Sequence, residues 1–199
     1  MQFSPPRDGE RVGIFGFGGV GREVAERVRV LGARVLAFDR SPDDFPLDMG
    51  SGKNSVENPV QPLHGDDGFE RLLAESDFLV LTAPETPRTK GIFDVTALGR
   101  MKASATLINV SRGGLVDEKA LVAALAEGRL RAAGLDVFAE EPLPVGHPLW
   151  DLPNVLITPH VSAVTRQFWR RQTDLIVENL RRYLVGRPLL NLVDKEAGF

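Results

Sequence analysis

The stretch Arg11-Val12-Gly13-Ile14-Phe15-Gly16-Phe17-Gly18-Gly19-Val20-Gly21-Arg22-Glu23-Val24-Ala25 decides how the chain is read. Its first five residues are short, apolar and β-prone. A glycine-rich turn follows, and then Val20, Val24, Val28 and Leu31 recur at a spacing that predicts one apolar helical face. Gly32 ends that helix. Arg34-Val35-Leu36-Ala37-Phe38 reads as a second strand, closed by Asp39. The order strand, glycine loop, helix, strand, acid is the βαβ fingerprint of a dinucleotide-binding (Rossmann) unit.

Each part has a physical task. Gly16 permits the tight turn out of the strand, Gly18 lets a pyrophosphate approach bare backbone, and Gly21 lets the helix pack closely on the strand. The helix N-terminus offers free N–H groups and a positive dipole end to the phosphates. Asp39 can accept hydrogen bonds from both hydroxyls of a ribose. Its charge repels a 2′-phosphate, which favours NAD over NADP, and Arg40 beside it offsets part of that repulsion.

Composition bounds the alternatives. The chain has 199 residues, 43% hydrophobic and 26% charged, with a net charge of −3. Nothing in that balance favours nucleic acid or an anionic membrane as partner. Cysteine is absent, so disulfides, thiolate metal sites and cysteine nucleophiles are excluded. No residues suggest a metal site. No apolar run approaches the roughly 20 residues of a membrane helix, and the first ten residues lack the apolar core of a signal peptide. A cytoplasmic protein is expected.

After Asp39 the pattern weakens. The proline- and glycine-bearing stretch Ser41 to Gly68 predicts a loose surface excursion, with a short third strand near Val60 to Leu63. Phe69 to Glu75 reads as a helix and Phe78-Leu79-Val80-Leu81 as a strand buried on both faces. Val95 to Met101 gives a helical turn or two, Thr106 to Asn109 a strand, and Asp117 to Glu127 a helix with Leu121, Ala124 and Leu125 inward. Ala132 to Leu135 and Val155 to Ile157 are the last strands. Gln167 to Tyr183 is a helix with Phe168, Leu175, Ile176 and Leu180 as apolar positions. Strands alternating with helices predict an α/β fold, a doubly wound parallel sheet.

Ligands of such sheets bind beyond the carboxyl ends of the strands. The residues there are Gly16 to Gly21, Asp39, Thr82-Ala83-Pro84, Val110-Ser111-Arg112, Asp136 and Pro159-His160. Arg112 can hold a carboxylate with two parallel hydrogen bonds. His160 can exchange a proton near neutral pH, and Glu141, in Glu140-Glu141-Pro142, can fix its tautomer. Singly, each is more often an ordinary surface or loop residue. Jointly, at one sheet edge after a dinucleotide fingerprint, they suit hydride transfer to a 2-keto acid. His64 and His147 lack such placement and read as structural.

Several long segments resemble the D-isomer-specific 2-hydroxyacid dehydrogenases. They are Leu72 to Asp77, Met101-Lys102, Leu107-Ile108-Asn109-Val110-Ser111-Arg112-Gly113-Gly114-Leu115-Val116-Asp117-Glu118, Gly134 to Phe138, Glu141-Pro142-Leu143-Pro144, His147-Pro148-Leu149-Trp150 and Thr158-Pro159-His160. The resemblance implies that Arg112 binds the substrate carboxylate, that His160 is the general acid or base, and that Glu141 pairs with it. It implies that Asp136 meets the nicotinamide carboxamide, that Val110 and Ser111 line the nicotinamide, and that Gly19 and Val20 meet the pyrophosphate. The tail from Asn179 through Asp194 looks most like glyoxylate or hydroxypyruvate reductases. The implied partners are a small 2-keto or 2-hydroxy acid and a second copy in a homodimer.

Two departures from the family pattern stand out. Gly19 occupies a position where members often carry a long basic residue. The glycine loop begins at residue 16, whereas members carry a substrate domain of roughly 100 residues before it. The expectation is a cofactor domain, 1–164, and a helix and tail, 165–199, that in the family returns to the missing N-terminal substrate domain. Leu189, Leu190, Leu192 and Val193 then lack a packing partner. A non-enzymatic NAD-binding module is the other reading, and an S-adenosylmethionine site is a weaker third.

Overall fold

The computed structural model describes residues 4–39 and 59–196. Arg40 and the excursion expected from Ser41 onward lie outside the described residues as far as residue 58. The described residues form two compact units, Met1–Pro159 and His160–Phe199.

The first unit is built on a parallel sheet of seven strands. They are β1 (Arg11–Phe15), β2 (Arg34–Phe38), β3 (Val60–Leu63), β4 (Phe78–Leu81), β5 (Thr106–Asn109), β6 (Ala132–Leu135) and β7 (Val155–Ile157). Their spatial order is β3-β2-β1-β4-β5-β6-β7. The helices between them are α1 (Gly19–Val30), α2 (Gly65–Glu75), α3 (Val95–Arg100) and α4 (Glu118–Ala126). The doubly wound α/β expectation is met. All four residues of β4 are buried, as its unbroken apolar run requires when both sheet faces are covered.

The order reverses at β1. Successive strands run from β1 out to β3, and the chain then returns to place β4 on the other side of β1. Such a reversal opens a crevice between the carboxyl ends of the two central strands. Beneath that edge lies an aromatic floor. Phe15 and Phe38, the last residues of β1 and β2, stack at 5.5 Å, and Phe93 meets Phe15 edge-on at 5.0 Å.

Two helices differ from the sequence expectation. The inward face of α1 centres on Gly21 and Ala25, not on the valine stripe. Val24 and Val28 flank that face and pack against the core, but Val20 is 57% exposed and Leu31 49% exposed. Small residues at the centre let the helix backbone approach β1, which turns the outer valines to the rim. Helix α2 begins at Gly65 rather than Phe69. Asp66 and Asp67 occupy its first turn, where a negative charge complements the dipole. Gly68 fits where a β-carbon would stand 3.1 Å from the Leu63 backbone.

The amino end of the sheet is tied by Asp77, just ahead of β4. Its carboxylate accepts the Arg11 N–H at 2.9 Å and the Lys102 ammonium at 2.7 Å. Burial alone would raise its pKa, but the Arg11 N–H and the Lys102 charge outweigh it and hold the carboxyl below its ordinary value.

The second unit holds α5 (Phe168–Leu184) and the tail. Asn179 clasps the tail: its amide donates to the Leu190 carbonyl at 3.0 Å and its oxygen accepts the Leu190 N–H at 2.8 Å. No α5 residue is fully buried, and Trp169, Ile176, Leu180, Leu192 and Val193 are exposed.

The lowered pKa of Asp77 sets a pH dependence. A group depressed in the folded state stabilises above its unfolded pKa, near 3.9 for aspartate, and that contribution is lost as pH falls through the folded value. Asp77→Asn is expected to lower stability at neutral pH and to flatten the decline below about pH 4. Urea midpoints measured from pH 2 to 7 check this; parallel curves would refute it.

Candidate functional site

The glycine loop is shaped by what it cannot hold. Gly16 has φ +94°, and a β-carbon there would lie 2.6 Å from the Ala83 backbone. A β-carbon on Gly21 would collide with the Gly16 carbonyl. Gly18 and Gly19, by contrast, face open space. Two glycines thus close the turn, and two leave bare backbone at the start of α1. That is the cradle a pyrophosphate needs. Val20, beside them, is exposed at the same helix start.

The loop is fastened to both neighbours. The Gly16 N–H donates to the Phe38 carbonyl at 2.9 Å. The Thr82 hydroxyl donates to the Gly16 carbonyl at 2.6 Å. The Phe17 N–H donates to Asp39 Oδ2 at 2.8 Å, so the acid at the end of β2 touches the glycine loop directly. Thr82-Ala83-Pro84 leaves β4 on the other side, where Thr89 Oγ1 donates to the Pro84 carbonyl at 2.8 Å.

The turn after β5 depends on Asn109, which is 1% exposed. Its amide donates to the Arg112 carbonyl at 2.9 Å. Its oxygen accepts the Ser111 N–H at 3.1 Å and the Ser111 hydroxyl at 3.0 Å. One buried side chain thereby sets the path of Val110-Ser111-Arg112. The Arg112 guanidinium reaches the Ser111 carbonyl at 2.6 Å, and the residue is exposed. The sequence reading passed over Asn109. Its signal was a polar residue closing an otherwise apolar buried strand.

Asp136, at the end of β6, is 2% exposed and accepts the Thr158 hydroxyl at 2.5 Å. The segment beyond it curls so that Glu141 Oε1 accepts the Phe138 N–H at 3.0 Å. Gly113 packs so tightly on the Phe138 backbone that a β-carbon would overlap it. Glu118 adds a second tie, accepting the Ala139 N–H at 2.7 Å. The Arg112 and Glu141 segments are thus locked together. His160 opens the second unit, beyond β7 in sequence. Its φ of +53° is a left-handed conformation uncommon for a non-glycine residue, and such residues cluster at functional sites. His147 serves a 3-10 turn: its Nδ1 accepts the Leu149 N–H at 3.3 Å. Among the described residues, no cluster of three or more potential ligands could hold a metal, and no helix is long and apolar enough to cross a membrane.

Residues 4–162 match the sequence model of the D-isomer specific 2-hydroxyacid dehydrogenase, NAD binding domain. The chain belongs to this family. It is 38% identical over 182 residues to a glycerate dehydrogenase of Methylorubrum extorquens, covering 90% of this chain and 52% of that one. It is 40% identical over 189 residues to a glyoxylate reductase of Korarchaeum cryptofilum, covering 94% and 53%. This member of the D-2-hydroxyacid dehydrogenases therefore spans about half the length of these curated relatives. A D-isomer specific 2-hydroxyacid dehydrogenase from Xanthobacter autotrophicus Py2, solved with NADPH and MES, superposes with a TM-score of 0.85 at 38% identity. That match covers 100% of this chain and 77% of the other.

Asn109 supplies the test of the site's framework. Asn109→Ala leaves buried partners on Ser111 and Arg112 unpaired, at an expected cost of about 1–3 kcal/mol, and weakens NADH binding. Urea unfolding and NADH fluorescence titration read the two effects. Parental values in both would show that the turn holds itself.

Proposed function

We propose that this chain is the cofactor-binding part of an NAD-dependent D-2-hydroxyacid dehydrogenase acting on a small 2-keto acid of the glyoxylate, hydroxypyruvate or pyruvate type. The observation that supports it most is the locking of the Arg112 and Glu141 segments at the sheet edge that carries Asp136 and the glycine loop. The relatives named as glycerate dehydrogenase and glyoxylate reductase point to the same substrate class.

A nicotinamide bound here would supply the hydride to the keto carbon. The chain's own residues do the rest. Gly16, Gly18, Gly19, Val20 and Gly21 hold the pyrophosphate, and Asp39 takes the adenosine ribose hydroxyls. Thr82, Ala83 and Pro84 wall the crevice. Val110 and Ser111 line the nicotinamide, and Asp136 accepts from its carboxamide. Arg112 grips the substrate carboxylate with paired hydrogen bonds. His160 gives a proton to the keto oxygen in reduction and takes it back in oxidation, with Glu141 fixing the imidazole tautomer. Hydride and proton together convert the ketone to the D-hydroxy acid.

In this reading residues 1–164 form the dinucleotide-binding domain, and 165–199 are a helix and tail that in the family return to the substrate domain. The assembly is a cytoplasmic homodimer in this reading. The carboxylate of Asp39 repels a 2′-phosphate, so NADH is preferred although the Xanthobacter relative was solved with NADPH.

Fluorescence titration with NADH and NADPH, followed by glyoxylate, hydroxypyruvate and pyruvate under an NADH absorbance assay, tests the whole reading. His160→Ala is expected to lower turnover about 10²–10⁴-fold while leaving NADH affinity largely intact. Parental turnover in that variant would remove His160 from the mechanism. NADH binding with no turnover on any keto acid would leave an NAD-binding module instead of an enzyme.

A further inference from the structure

His64 stands at the N-cap position of α2 but makes no side-chain cap bond. Histidine is also not among the residues favoured there. Its ring turns back instead, and Nδ1 lies 3.0 Å from the backbone carbonyl oxygen of Asp39. A carbonyl can only accept, so Nδ1 carries the proton and donates. The register explains the meeting. Phe38 of β2 pairs with Leu63 of β3, so Asp39 and His64 leave the two strands at the same height.

Asp39 is consequently held from three directions. Its N–H donates to the Leu63 carbonyl at 3.3 Å. Its Oδ2 accepts the Phe17 N–H from the glycine loop. Its carbonyl accepts from His64. The first contact continues the sheet, and the second belongs to the cofactor loop. The third is supplied by a side chain from outside β1 and β2, and it holds the Asp39 carbonyl.

We propose that His64 is a positioning residue for cofactor specificity: by holding the Asp39 carbonyl it keeps the Asp39 carboxylate on the adenosine ribose, where it accepts the 2′-hydroxyl and repels a 2′-phosphate. The proposal rests on the ribose role given to Asp39 above. Without His64, the Asp39 carbonyl loses this hydrogen bond. The carboxylate then spends less time in the ribose-binding position, and both affinity for NADH and discrimination against NADPH fall.

The test measures dissociation constants for NADH, NADPH, ADP-ribose and reduced nicotinamide mononucleotide with the parental chain, His64→Ala, His64→Asn and Asp39→Ala, by nucleotide fluorescence and, for ADP-ribose, by calorimetry. One hydrogen bond corresponds to about a 3- to 10-fold change. His64→Ala is expected to weaken NADH and ADP-ribose by that factor, NADPH by less, and the mononucleotide not at all. Asparagine can present an N–H to the same carbonyl, so His64→Asn is expected to recover most of the affinity and the preference. Parental behaviour in His64→Ala overturns the proposal. So does an equal loss for all four ligands, which marks general loosening, and so does failure of asparagine to rescue. Asp39→Ala separates the two claims. If it collapses the NADH preference while His64→Ala does not, the ribose role of Asp39 stands and the proposal falls. If it leaves the preference unchanged, the ribose role fails and takes the proposal with it.

Discussion

The missing β-carbon of Gly16 is the constraint on which the cofactor edge depends. β1 and β4 run in register to Phe15 and Leu81, and the next residues must separate to open a crevice. They cannot separate far, because the Thr82 N–H is bonded to the Phe15 carbonyl at 2.9 Å. The chain resolves this by bringing Gly16 against the Ala83 backbone at a positive φ. Any larger residue would push the loop off β4 or force β1 out of line. Either movement would displace Phe17, and with it the contact to Asp39. The turn, the wall and the acid are therefore one mechanical unit.

The two ends of the sheet solve different problems. At the amino end, charged side chains bridge elements: Asp77 binds Arg11 and Lys102, and Glu75 pairs with Arg11 at 3.4 Å. These are exposed or half-buried contacts, individually modest. At the carboxyl end, backbone groups of the loops are bound by buried polar side chains, Asn109 and Thr89 among them, above the phenylalanine floor. That end offers backbone N–H groups and carboxylates to a ligand, because its structural bonds are made by residues sunk beneath the loops.

Much of this was legible in the sequence because periodicity and glycine spacing report backbone geometry directly. The glycine loop, Asp39, the buried β4 and the inward face of α4 could be read from local pattern. The face of α1 was misjudged because valine spacing gave the hydrophobic stripe, whereas Gly21 and Ala25 gave the line of closest approach. The start of α2 was hidden because Gly65 and Gly68 read as loop residues, and Gly68 has its purpose against Leu63, which no local pattern shows. His64 read as structural because nothing in the sequence placed it at the cofactor edge. Its bond to Asp39 exists only once β2 and β3 lie side by side. Asn109 escaped for the related reason that an asparagine ending a strand looks like a turn residue until its three bonds are seen.

The lock between Gly113 and Phe138 carries the last step. Hydride transfer is sensitive to placement at the level of about 1 Å, with losses on the order of 10²-fold. Arginine and glutamate side chains are long and rotamer-rich, and neither could be held to that tolerance from a mobile loop. Here the two segments are joined below the side chains, backbone against backbone, with Glu118 adding its bond to Ala139. The distance between the bases of Arg112 and Glu141 is thus set by a contact that tolerates no β-carbon. Both side chains are exposed, yet Arg112 reaches the Ser111 carbonyl and Glu141 accepts the Phe138 N–H. Precision therefore resides in the backbone beneath the two side chains.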